Sequence, residues 1–311
     1  MATTEHEQVV LQAADGHEIK LQVWRPDEPA LAVVQILHGL GEHADRYARF
    51  AAAATACGFI VYSHDHRGHG KHAEQLGYFG GADGWSLVVS DANAVHQEIS
   101  SQHSELPILL IGHSMGSYIA QSFLIRHSPR IAGLILSAST WPSRPLLLLG
   151  SLLAKIEGWR LGKHRNSALL DRMGFGKFNR PFQPARTDSD WLSRDASEVD
   201  KFVEDPLCGG PYTAGLWSDL TAGLFEIASD NALRQIPSDL PILITGGEVD
   251  PVGGDQGMTK LALHYAQTGH QRLRVKIYPD GRHEMLNETN RDEVTRDWLG
   301  WIDQLATGYQ S

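Results

Sequence analysis

The chain has 311 residues, 42% of them hydrophobic and 21% charged, enough for one large core or a core carrying an inserted subdomain, and its ordinary composition excludes disorder. A formal net charge of -10 excludes a nucleic-acid groove, which needs clustered Lys and Arg to neutralise phosphates. Only two cysteines, Cys57 and Cys208, are present, too few for a disulfide framework and compatible with a reducing compartment. Residues 1–7 lack the basic and then apolar pattern of a secretory leader, and no run reaches the about 18 apolar residues that span a bilayer.

In chain order, residues 7–12 and 17–24 alternate apolar and polar around the turn signal Asp15-Gly16, which predicts an antiparallel hairpin at a sheet edge. Residues 31–37 form the next strand, apolar except for Gln35, and run into His38-Gly39-Leu40-Gly41-Glu42-His43. A helix over 47–56 ends at Gly58, a C′ position, with Cys57 expected as a small buried thiol. The strand 59–63 then leads into His64-Asp65-His66-Arg67-Gly68-His69-Gly70-Lys71-His72. The H-x-H-x-x-H spacing of His64, His66 and His69 raises a metal reading. Gly68 stands where a zinc hydrolase of this pattern carries Asp, so the expectation is a strand-end loop in which Asp65 and Arg67 bond neighbouring backbone.

A helical pattern over 84–100 precedes Ile108-Leu109-Leu110-Ile111, a run without a polar face that suits a strand buried on both sides. Gly112-His113-Ser114-Met115-Gly116 follows and fits G-x-S-x-G, with Tyr118, Ile119, Phe123 and Leu124 then at helical spacing. A strand that reverses sharply into a helix strains its turn residue, so glycines are needed on both flanks and the serine hydroxyl is lifted clear of the sheet. Strand 131–137 continues a doubly wound parallel rhythm, which residues 141–224 interrupt. That segment has no apolar strand run and reads as an inserted, mainly helical cap between core segments 1–140 and 225–311. Within it Leu146 to Leu149 and Leu152-Leu153 make a helix apolar almost all round, after Pro145. The insertion starts on the sheet edge that carries Ser114, so this helix is expected to line an entrance there, with Leu147 and Leu148 on an acyl chain. Burial in the insertion's own core is the alternative. The rhythm resumes with strand 240–245 ending at Asp250, helix 255–268, strand 273–278 ending at His283, and a closing helix over 288–306.

A serine hydroxyl needs a histidine base and a carboxylate that fixes the histidine tautomer, in the chain order Ser, Asp or Glu, His on such a sheet. Ser114, Asp250 and His283 satisfy the order and the strand-end placement. Glu248 and Asp255 compete for the acid, and His264, His270 and His113 for the base. An oxyanion needs two backbone N–H donors: one from Met115, after the nucleophile, the other from the glycine-rich loop at Leu40.

Together, HGLGEH at 38–43, SHDHRGHGKH at 63–72, GHSMG at 112–116, GGEVDPV at 246–252 and DGRHEM at 280–285 resemble the monoacylglycerol lipase and lysophospholipase-like branch of the α/β-hydrolases over nearly the whole chain. The resemblance implies an α/β-hydrolase fold, a mostly parallel sheet flanked by helices with a helical cap. It implies an ester substrate with one fatty acyl chain, with Ser114, Asp250 and His283 as triad and Leu40 and Met115 as oxyanion donors. Glu42 and Arg46 match a G-E-H-x-x-R pattern that lies by the polar end of the substrate in such enzymes. Lys71-His72 depart from the Ser that often follows D-x-R-G-x-G in relatives. No cofactor, metal or nucleic-acid partner is expected; a cytoplasmic location is, with transient contact to membrane or lipid aggregates through the cap. A small-ester carboxylesterase or serine aminopeptidase with the same triad, and a metal-dependent hydrolase using the histidine stretch, are the competing readings.

Overall fold

The computed structural model describes residues 6–309; residues 1–5, part of the stretch examined above for a leader pattern, and 310–311 lie outside the described residues. Eight strands, β1 (His6–Gln12), β2 (Glu18–Trp24), β3 (Ala32–Leu37), β4 (Phe59–His64), β5 (Ile108–His113), β6 (Gly133–Ser137), β7 (Ile242–Gly247) and β8 (Leu273–Tyr278), form one sheet in the order β1-β2-β4-β3-β5-β6-β7-β8. β2 pairs antiparallel with β1 and β4, and every other pairing is parallel. The fold is that of an α/β-hydrolase, as expected, with the predicted hairpin at its edge.

The continuous apolar runs are explained by helices on both faces of the sheet. Val34, Ile36, Leu109 and Ile111 pack with Phe50 and Ala54 of α1 (Ala48–Ala56) and with Trp298 and Ile302 of the closing helix. Their alternates Leu37, Leu110, Leu134 and Leu136 pack on the opposite face with Val88 of α2 (Gly84–Gln102) and Ile119 and Phe123 of α3 (Met115–His127). Burying one such side chain fully contributes about 1.5–3 kcal/mol. Gly58 adopts φ +84° after α1, as a C′ residue must. Cys57, expected inside, is exposed: it is the C-cap of α1, beyond the face that Phe50, Ala51 and Ala54 bury.

Between β6 and β7 come α4 (Arg144–Leu161), α5 (Ala168–Phe175), α6 (Ala196–Glu204), α7 (Ala214–Ile227) and α8 (Asp230–Leu233), with one isolated bridge, Asn166 to Thr213, and no strand among the described residues. α9 (Gly254–Gln267) and α10 (Arg291–Tyr309) complete the chain. No helix among the described residues is long and apolar enough to cross a membrane. Because β3 to β8 run parallel, their carboxyl ends share one edge, which collects the loops that follow them.

Candidate active site

Ser114 leaves β5 with φ 48° and ψ -118°, a left-handed backbone that side chains rarely adopt, and α3 starts at the next residue. The turn is as tight as the glycines suggest. A Cβ at Gly112 would lie 2.5 Å from the Gly116 carbonyl oxygen, and one at Gly116 would lie 2.0 Å from that of Leu37. The Ser114 N–H donates to the Ser137 carbonyl at 2.9 Å, tying the turn to β6. Among the described residues no protein acceptor takes the Met115 or Leu40 N–H. The loop bearing Leu40 lies against the serine, since a Cβ at Gly39 would sit 3.3 Å from Ser114 Cβ.

Two turns at the same edge carry the acid and the imidazole. Asp250, three residues past β7, and His283, five past β8, are both buried, and His283 Nδ1 lies 2.9 Å from each Asp250 carboxylate oxygen. Burial alone pushes the imidazole down, but the Asp250 carboxylate overrides it and leaves the His283 pKa above its ordinary value. No hydrogen bond joins Ser114 Oγ to His283 among the described residues; both line one cavity, and such contacts commonly tighten only with substrate bound. The rival residues are engaged elsewhere. Glu248 is exposed and accepts from the Asp280 N–H, and Asp255 bonds the Gln256 N–H. His264 stacks on Trp141 and bonds Asp230, while His270 packs against Tyr265. His113 lies 4.9 Å from the His283 ring, but burial pushes it down to about 4 and it is neutral at ordinary pH.

The Glu42 carboxylate holds the loop that carries Leu40. Its Oε1 accepts from the Gly39 N–H at 2.6 Å and the Tyr47 hydroxyl at 2.9 Å, and its Oε2 accepts from Arg46 at 3.1 Å. Arg46 forks onto Glu284, next to His283, at 2.5 and 2.7 Å. Burial would raise the Glu284 pKa, but the Arg46 guanidinium and Asn287 hold it well below the ordinary carboxylate range. Glu42 reaches the cavity wall, whereas Arg46 does not. The expectation of Arg46 at the substrate's polar end is therefore corrected: Glu284, unremarked in the sequence, captures it and makes it a strut between the Leu40 loop and the His283 loop.

The cavity, about 190 Å³, is bounded below by Leu40, Ser114 and His283 and roofed by aromatic side chains of residues 141–224, chiefly Phe175, Phe178 and Trp191. Trp191 sits 4.8 Å from the His283 ring, Phe178 4.9 Å from Trp191, and Tyr212 5.6 Å from Phe175. The roof is tied to the loops below: the Glu284 N–H donates to the Leu192 carbonyl, the Gly209 N–H donates to that of Gly41, and a Cβ at Gly41 would overlap the Tyr212 hydroxyl. None of these aromatics was singled out in the sequence; their density in a segment without strand runs was the available signal.

Leu147 and Leu148 do not line this cavity. α4 packs on α7 through Leu147, Gly150 and Ala154, so Leu147 is buried in that joint, and Leu148 points to solvent at 59% exposure. Their expected place on an acyl chain is corrected, because α4 lies outside α7 rather than over Ser114. The helix is neither wholly buried nor an entrance wall.

The histidine stretch is a packed, neutral cluster. His64, His66 and His69 are buried, the first two rings 4.9 Å apart, and burial pushes His64 and His69 down to about 4. Their nitrogens do not converge as a ligand set; among the described residues only His43, Asp205 and Cys208 bring three ligand atoms within 4.8 Å of one another. Asp65 accepts from the Ala44 N–H, as a loop-fixing residue should. Arg67 pairs with the Asp15 and Asp91 carboxylates rather than with backbone, since β1–β2 and α2 present both acids beside it.

Residues 28–290 match the family described as serine aminopeptidase, S33. The chain is similar to the monoacylglycerol lipase of Mycolicibacterium smegmatis, 27% identical over 92% of this chain and 93% of that one. It is also similar to the monoglyceride lipase of Mus musculus, 30% identical over 94% of this chain and 88% of the relative. Among solved structures, a thermostable carboxyl esterase from Bacillus coagulans in complex with glycerol superposes with a TM-score of 0.90, at 26% identity, over 98% of this chain and all of that one.

Proposed function

Since the chain belongs to the serine aminopeptidase, S33, family of α/β-hydrolases and is a carboxylic ester hydrolase, we propose that it cleaves esters carrying one fatty acyl chain and a small polar alcohol, through Ser114, His283 and Asp250. Residues 141–224 act as the cap, with α7 running through the carboxyl-terminal bound of that segment into the core. The observation that carries the substrate reading is the cavity itself, which combines a polar floor with a wall of Phe175, Phe178 and Trp191. An acyl chain gains about 0.8 kcal/mol per methylene against such a wall, roughly fourfold in binding. The Bacillus coagulans esterase, solved with glycerol, supports a small polyol as the alcohol.

The chemistry follows from the parts. His283 Nε2 takes the Ser114 proton as Oγ attacks the ester carbon, and Asp250, holding Nδ1, steadies the imidazolium that forms. The carbonyl oxygen becomes an oxyanion that accepts from the Leu40 and Met115 N–H groups, with the amino end of α3 adding a favourable dipole. Each donor contributes about 10²–10³ in turnover in comparable sites. The tetrahedral intermediate collapses as His283 protonates the departing alcohol, leaving an acyl group on Ser114; water, activated by the same histidine, then releases the fatty acid. The Arg46 strut keeps donor loop and base in register.

A side-by-side panel of monoacylglycerols, lysophospholipids, short p-nitrophenyl esters and amino-acid anilides tests the reading. The expected result is the highest kcat/KM on monoacyl esters, rising with chain length. Preference for anilides would overturn it in favour of a peptidase, and a flat chain-length profile in favour of a small-ester esterase.

A further inference from the structure

His43 and Cys208 have no part in the chemistry described above, yet the fold brings them together with Asp205. One ligand atom from each of the three lies within 4.8 Å of the other two, and His43 Nε2 is 2.8 Å from Asp205 Oδ2. A single turn, Asp205-Pro206-Leu207-Cys208, sets the acid and the thiol. In it the Cys208 N–H donates to the Asp205 carbonyl at 3.0 Å, and the Leu207 N–H donates to Asp205 Oδ1 at 2.9 Å. Oδ1 is thus tied to backbone, which leaves Oδ2 to face the imidazole. The turn presents a carboxylate and a thiol three residues apart, as a C-x-x-C turn presents two thiols to a metal. The charged groups acting on the thiol are the carboxylates of Asp205, Glu42 and Glu284 and the guanidinium of Arg46, three negative against one positive, so a cation there meets no net positive surround.

From this geometry we propose that His43, Asp205 and Cys208 bind one zinc ion, at a site distinct from the active site and from the histidine stretch, whose nitrogens diverge. Imidazole, carboxylate and thiolate together suit zinc, whereas magnesium and calcium take oxygen ligands. Tetrahedral zinc holds nitrogen and oxygen at about 2.0–2.2 Å and sulfur at about 2.3 Å, which puts its nitrogen and oxygen ligands about 3.3 Å apart. The His43–Asp205 pair, at 2.8 Å, needs to open by only about half an ångström. The Asp205 side chain is 28% exposed, so it has room to move and water can reach the fourth position. On binding, the imidazole carries its proton on Nδ1 to free Nε2, and Cys208 releases its thiol proton to solvent. The ion joins the insertion to the donor loop: His43 closes the segment that carries Leu40, and Cys208 precedes Gly209, whose N–H donates to the Gly41 carbonyl at 2.8 Å. Zinc therefore adds a second clasp beside the cavity rim formed by Gly209 and Gly210.

The test is an optical titration of the purified full chain with Co²⁺, followed by displacement with Zn²⁺, which reads binding without turnover and so stands or falls apart from the substrate class. The account expects one equivalent of cobalt to give a thiolate-to-metal charge-transfer band and the visible bands of a tetrahedral site, both erased by one equivalent of zinc. Zinc should also raise the melting temperature, and a chelator should reverse the rise. Cys208→Ser should abolish the charge-transfer band and weaken binding at least about 100-fold, since losing even an outer-shell partner of a metal site costs about 10–100-fold. Retained hydrolysis of a soluble short ester shows that this variant is folded. His43→Gln should weaken binding as strongly, and Cys57→Ser, which removes the other thiol of the chain, should change nothing. Absence of a charge-transfer band at millimolar cobalt, a band that Cys57→Ser removes, or binding that keeps full affinity in His43→Gln would each overturn the proposal.

Discussion

The loops at the carboxyl edge of the sheet and the insertion above them carry chemistry in different ways. In the loops, function is local: Gly112 and Gly116 are required by contacts of 2.0 to 2.5 Å, and Asp250 and His283 meet because β7 and β8 are neighbours. In the insertion, function is collective. Phe175 and Phe178 come from the end of α5 and the turn after it, Trp191 from a loop further along, and they make a wall only after packing. A short motif can therefore announce a candidate nucleophile, whereas an aromatic cavity wall has no motif. The loops should respond to mutation by losing rate on every substrate, and the insertion by changing which substrate is preferred.

The largest expected effect falls on the loops. Ser114→Ala should lower turnover by about 10⁴–10⁶ on all esters with the fold unchanged, by circular dichroism and melting temperature. More than a few per cent residual activity in the folded variant would remove the nucleophile assignment.

Next in size, Asp250→Asn should cost about 10⁴, because the amide favours the wrong imidazole tautomer, while Glu248→Gln, on an exposed side chain, should be nearly silent. The pH profile adds a sign. The Asp250 carboxylate raises the His283 pKa above 6.5, so kcat/KM should fall as pH drops through a midpoint above 6.5, and that midpoint should move down in Asp250→Asn. Stability moves the opposite way: the raised pKa contributes fully below the unfolded value of about 6.5 and is lost as pH rises through the folded value. A midpoint unchanged by Asp250→Asn would break the pairing.

The insertion should behave otherwise. Phe178→Ala, which opens the aromatic wall, is expected to lower kcat/KM about tenfold or more for long acyl chains and only a few-fold for acetyl or butyryl esters. Equal losses on short and long chains would erase the contrast between the two regions. The adjacent leucines of α4 sharpen it further. Leu147→Ser should destabilise by about 2–3 kcal/mol, since it places a hydroxyl and a void in the α4–α7 joint, whereas Leu148→Ser, already in water, should leave the melting temperature within error.

How much of this was legible follows the same division. Strands β3 to β7 were readable because a largely apolar run suits a parallel sheet, β1 and β2 because alternation around Asp15-Gly16 marks a hairpin, and the placement of Ser114, Asp250 and His283 at strand ends followed from that reading. Arg46 was misread because its partner, Glu284, lies 238 positions away, and no local pattern tells a substrate-facing guanidinium from one forked onto a buried carboxylate. Leu147 and Leu148 were misread together because an all-round apolar helix hides which face packs; α7 decides that. Cys57 was taken for a core residue because its neighbours are alanines, while one further residue of rotation at the helix end puts it in solvent.

The central claim, ester cleavage through an acyl-enzyme on Ser114, is tested most directly by covalent trapping. The protein is treated with a long-chain alkyl fluorophosphonate and analysed by intact mass and peptide mapping. The account predicts one adduct per chain, mapped to Ser114, appearing in step with loss of monoacylglycerol hydrolysis and absent from Ser114→Ala. An adduct on another residue, or full hydrolysis by protein that carries the adduct on Ser114, would contradict it.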